Sequence, residues 1–158
     1  MNKTILKNRN FILLFVGQGI SYLGDAIFET ALMWYLLQIT GSSLLMGSVM
    51  IFFMVPNLVT KIFSGVLIDR VSRRKIMFLS NLLSGFLLFI GAILFILGLL
   101  TIPIIFFMSA LLGFISAFFE PSQSSIIPSI LTKDQLIKGN SLLQLVFRLS
   151  FLVGHAIS

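Results

Sequence analysis

Five uninterrupted apolar runs dominate the 158-residue chain, roughly Phe11 to Leu37, Leu44 to Leu67, Ile76 to Gly98, Ile104 to Ile127 and Gly139 to Ser158. Each is long enough to cross a bilayer as a helix, which takes about 20 residues. A backbone in hydrocarbon must satisfy its own hydrogen bonds, so only helices and closed barrels can span. These runs are continuous and lack the alternation of barrel strands. An all-α, polytopic membrane helix bundle is therefore expected. Composition agrees: 58% of residues are hydrophobic, 10% are charged and 17 are Phe, against about 25% charged in a soluble domain.

Charge is distributed by loop. Lys3, Lys7 and Arg9 precede the first run, Arg70, Arg73, Arg74 and Lys75 follow the second, and Lys133 and Lys138 follow the fourth. The other two links, near Gln38 to Ser43 and Leu99 to Pro103, carry no charge. The positive-inside rule then places the N-terminus and the basic links in the cytoplasm. The net charge of +6 reads as topology, so no nucleic-acid partner is expected. The first run is too long for the apolar core of a signal peptide and no small-residue cleavage site follows it. The chain has no cysteine, which excludes disulfides and thiolate metal sites. No metal-ligand cluster, nucleophile elbow or phosphate loop is present, so neither an enzyme nor a cofactor is expected.

Ionisable groups inside spans mark either structural pairs or a wet path. Gln18, Tyr22, Asp25 and Glu29 follow one another at spacings of four, three and four, which puts them on one helix face. Asp25 lies about 20 Å from the cytoplasmic end at 1.5 Å per residue, and both acids are too short to snorkel. The spacing predicts a cavity-facing stripe. Span four repeats it with Ser109, Gly113, Ser116, Glu120 and Gln123, and Pro121 removes a backbone donor from the carbonyl of Ala117. Span five carries Gln144, Arg148 and His155 roughly on one side. Arg148 and Glu120 fall at similar depths on consecutive helices, so a salt bridge between them is expected, either as a strut or as a substrate or proton site. In span two, Lys61 lies close enough to the cytoplasmic end to be explained by snorkelling. Span three has no ionisable residue and is expected to be peripheral or lipid-facing.

The turn Gly65-Val66-Leu67-Ile68-Asp69-Arg70-Val71-Ser72-Arg73-Arg74-Lys75 combines a glycine that admits a close helix, an acid at a helix C-terminus that needs a partner, and a basic group. It resembles the loop 2–3 signature of the major facilitator superfamily, with Ser72 where that pattern has glycine. Gly17-Gln18 through Asp25, Thr40-Gly41-Ser42, Ala117 through Pro128 and Leu136 through Asn140 are similar to the drug and macrolide efflux branch.

The resemblance implies five of the six helices of an N-terminal half, residues 1–158 forming a partial transmembrane domain. It implies efflux of hydrophobic small molecules by proton antiport and alternating access, in the cell membrane, with helices one and four lining the cavity. Gly65, Asp69, Arg70, Arg73 and Arg74 would form the cytoplasmic gate. The site residues would be Gln18, Tyr22, Asp25, Glu29, Ser116, Glu120, Gln144 and Arg148. The chain departs from the branch at Leu112, where many drug exporters have arginine, and in span five, which lacks the proline of the antiporter pattern. A sixth helix and a second half are expected to be required. The alternative is a non-transporting membrane scaffold that binds a partner subunit.

Overall fold

A computed structural model describes the backbone of residues 5–157 and their side chains, apart from those of Leu6, residues 65–70, His155 and Ile157. After a short 3-10 turn at Ile5–Lys7, five α-helices follow: α1 Arg9–Thr40, α2 Ser43–Arg70, α3 Arg73–Ile96, α4 Ile102–Ile130 and α5 Lys133–Ile157. All five contain a stretch long and apolar enough to cross a membrane. Most helix ends run past the apolar runs into polar sequence, α3 stopping instead at Ile96, and the links shrink to a few residues.

Local chemistry sets the links. α1 ends where Gly41 takes φ +64°, a conformation that costs glycine little, and the Gly41 amide donates to the Leu37 carbonyl at 2.7 Å. Ser42 then caps α2, its hydroxyl accepting from the Leu45 amide at 3.3 Å. Ser72 caps α3 in the same way through the Lys75 amide. The serine standing where the resembled signature has glycine thus starts the next helix. α3 closes at Gly98, φ +67°, with the Leu99 amide reaching back to the Leu94 carbonyl at 2.9 Å, as in a Schellman-type cap. α2 continues through Pro56, and α4 continues through Pro121 and Pro128.

The contacts divide the chain into two units: residues up to Ala31 with those from Ser125 on, and Leu32–Ser124. In the first, α1 and α5 lie side by side. A Cβ built at Gly139 would meet Leu131 and, at 3.5 Å, Phe11; one at Gly19 would lie 3.2 Å from Val146; one at Gly154 would lie 2.5 Å from Ala26. The Ser150 hydroxyl donates to the Gly19 carbonyl at 3.1 Å. The contacts rise in the same order on both helices, so α1 and α5 are parallel. Phe11, Ile127, Leu131 and Leu143 form the apolar core at the N-terminal end, and the Asn8 amide donates to the Ile130 carbonyl at 2.8 Å. Lys7 and Arg9 therefore share one end of this unit with Lys133 and Lys138.

In the second unit α2 and α4 meet. Phe52 stacks on Phe106 at 4.4 Å, the Asn57 amide donates to the Gly113 carbonyl at 3.1 Å, and Lys61 meets Glu120. The order again rises on both helices, so this pair is parallel too. At the uncharged end the Tyr35 hydroxyl donates to the Leu100 carbonyl at 3.2 Å, and its ring packs edge-on to Phe95. Two parallel pairs, each separated by an odd number of intervening helices, are what a chain gives when every helix crosses the bilayer and reverses. α3 leaves Phe78, Leu82, Phe86 and Phe89 exposed, a surface suited to lipid.

Candidate functional site

On α1 the seam toward α5 runs through Phe11, Gly19 and Ala26. Gln18 and Asp25 each precede a seam residue by one position and so lie about 100° round the helix from it. Tyr22 and Glu29 sit on the same flank. Gln18 is buried at 4% exposure, Tyr22 and Glu29 are half-buried, and Asp25 is exposed. The Tyr22 ring packs edge-on to Phe147 at 5.0 Å, which fixes the side of α5 that borders this flank. Gln144 and Arg148 follow about 60° and 100° further round α5 from Phe147, away from the seam; both are exposed. One side of this unit thus carries the α1 stripe and the α5 polar pair, with the α5 pair turned away from α1.

The α4 stripe divides. Gly113 packs so closely on α2 that a Cβ there would collide with the Phe53 carbonyl. Ser109 is buried and returns its hydroxyl to the Ile105 carbonyl at 2.9 Å. Ser116 is half-buried, and Glu120 is exposed. Part of the pattern expected to line a cavity is therefore a helix seam.

Within its own unit the carboxylate of Glu120 is met by Lys61, Nζ to Oε2 at 2.6 Å; Arg148, the partner expected from chain proximity, belongs to the other unit. Lys61 is an ion-pair partner as well as a lysine near a membrane end. Residue order favoured α5 as the neighbour, whereas packing supplies α2. A usable signal was present: Lys61 stands nine residues before Arg70 and Glu120 ten before Ile130, so both lie about 14–15 Å from the same ends of their helices.

Of the loop signature, Arg73 and Arg74 are exposed on the first turn of α3. The side chains of Gly65, Asp69 and Arg70 lie outside the described residues, as does that of His155.

Residues 14–158 match the sequence profile of the Major Facilitator Superfamily. The chain is 28% identical over 151 residues to Macrolide efflux protein A of Streptococcus pyogenes, covering 94% of this chain and 36% of that protein. It is 26% identical over 161 residues to the Uncharacterized MFS-type transporter YkuC of Bacillus subtilis (strain 168), covering 97% and 35%. The chain therefore spans about a third of the length of these curated relatives. No solved structure matches it. With five membrane-length helices and a family match over nearly all of them, this is a multi-pass membrane protein that belongs to the Major Facilitator Superfamily.

Proposed function

We propose that the chain is the N-terminal transmembrane part of an exporter that moves small hydrophobic molecules across the cell membrane by alternating access, coupled to proton entry. Its N-terminus and its basic links face the cytoplasm. The remaining helices of a family-length polypeptide complete the site.

The observation that carries this reading is the position of Asp25 and Glu29. Two carboxylates one helical turn apart sit past the midpoint of a 32-residue helix, on the flank beside the α5 seam rather than in the seam itself. Acids at such depth are costly unless they face water or a partner, and a carboxylate that alternates between wet and dry surroundings takes up and gives off a proton. Tyr22 and Phe147 beside it provide aromatic surface for an apolar substrate. The macrolide efflux function named for the streptococcal relative agrees with export. Gly65, Asp69, Arg70, Arg73 and Arg74 serve as the cytoplasmic gate; Gln18, Ser116, Gln144 and Arg148 supply polar contacts along the path.

The test is Asp25→Asn in a family-length polypeptide carrying this chain, reconstituted in vesicles with a pH gradient. Loss of substrate-dependent proton movement with the protein still inserted is expected. Undiminished coupled efflux would refute the assignment.

A further inference from the structure

We propose that the Lys61–Glu120 bridge is a water-facing, exchangeable ammonium site: Glu120 takes a protonated amine on an apolar ligand in place of the Lys61 side chain. The proposal deepens the transport reading and rests on it for its biological meaning, but the chemistry is a property of α2 and α4 alone.

Three observations support it. First, both partners are far from fully buried, with side chains 34% and 54% exposed for Lys61 and Glu120. They lie about 9–10 Å inside the ends of their apolar runs at Leu67 and Ile127. An ion pair this open at such depth is expensive against lipid, and intramembrane charges face water or protein instead. Second, the bridge is not needed to hold the helices together. The stacked Phe52 and Phe106, the Asn57 bond to the Gly113 carbonyl and the Phe53–Gly113 approach already fix α2 on α4 on the side of the bridge nearer the uncharged end. Third, the seat is demonstrated by its present occupant. A lysine head group is a primary ammonium on an alkyl stem, and it sits 2.6 Å from Oε2, in direct charge-assisted contact. A ligand with an N–H⁺ on an apolar body presents the same group. The displaced Lys61 has a flexible stem that keeps its ammonium in the water the site faces.

Acylation of Lys61 tests this without any transport. The 158-residue chain in detergent micelles is treated with a water-soluble amine acylating reagent, and modification of each lysine is read by mass spectrometry, with the exposed Lys133 as internal reference. The probe is N,N-dimethyloctylammonium, which carries one N–H and forms no stable amide. Octanol and trimethyloctylammonium, which lack N–H⁺, are the controls. A tethered ammonium competes at an effective concentration in the millimolar range. The probe at about ten times that concentration holds roughly nine-tenths of the Glu120 sites, and Lys61 modification relative to Lys133 is expected to rise to the level seen in Glu120→Gln. The controls leave it unchanged, and Glu120→Gln raises it without probe. If Glu120→Gln does not insert, the probe series on the unaltered chain decides alone. A probe that leaves the ratio unchanged while Glu120→Gln raises it would make the bridge a strut only and overturn the proposal. Equal effects of octanol and the ammonium would overturn it as well. Neither result bears on Asp25, so failure here and failure of the transport reading are separable.

Discussion

The α1–α5 and α2–α4 seams are both parallel helix pairs, yet they are built from different materials. α1 and α5 meet through small residues, Gly19 against Val146 and Ala26 against Gly154, with one hydroxyl bond from Ser150. α2 and α4 meet through a glycine pressed on a backbone carbonyl, a carboxamide bond and an ion pair. Lipid tails are as apolar as leucine, so neither pair gains from hiding apolar surface; close packing and polar bonds must hold them. The first seam relies on fit and the second adds polar bonds. Gln18, Tyr22, Asp25 and Glu29 line the flank beside the first seam, whereas Lys61 and Glu120 pair across the second.

Substitutions separate the two modes. The largest effect is expected at Gly113→Leu. The obstacle is the Phe53 backbone, which cannot rotate away, so the seam opens and the Asn57 bond is lost with it. Destabilisation of about 3 kcal/mol is expected, read by denaturation in mixed micelles. Gly139→Ala, whose close contact is the end of the flexible Leu131 side chain, with Phe11 at ordinary contact distance, should be much milder; equal losses at the two sites would remove the distinction. Gly154→Val comes next. Its Cβ meets Ala26 at 2.5 Å and the Ile27 amide nitrogen at 3.3 Å, and a loss of about 2 kcal/mol is expected, confined to α1–α5 contacts in cysteine cross-linking. Asn57→Ala removes one interhelical bond and should cost roughly 1 kcal/mol. Ser150→Ala should cost the least, about 0.5 kcal/mol, because the seam it crosses is already held by close packing. If Ser150→Ala exceeded Asn57→Ala, the polar bonds would matter more to the first seam than to the second.

The number of helices was legible because it depends on run length, and the shared end of Lys7, Arg9, Lys133 and Lys138 because it depends on charge within the links, both local properties. The ends were less so: caps at Ser42 and Ser72 carry the helices into polar sequence. The partner of Glu120 was not legible from order alone. Arg148 stands on the next helix, and consecutive helices are the natural first guess, but α4 packs along α2. Periodicity grouped Gly113 with Glu120 correctly on one face. It did not tell a face that meets a helix from one that meets water, since small and polar residues serve both.

The central claim is that successive helices reverse, bringing the N-terminus, the Ser72 turn and the Thr132 turn to one side of the membrane and the Gly41 and Leu99 links to the other. The chain has no cysteine, so single cysteines at Asn8, Ser72, Thr132, Gly41 and Leu99 can each be probed in intact cells with a membrane-impermeant thiol reagent. Labelling at 41 and 99 alone is predicted, with the other three reacting only after the cells are opened. Labelling of position 72 or 132 from outside, with 41 protected, would contradict the account.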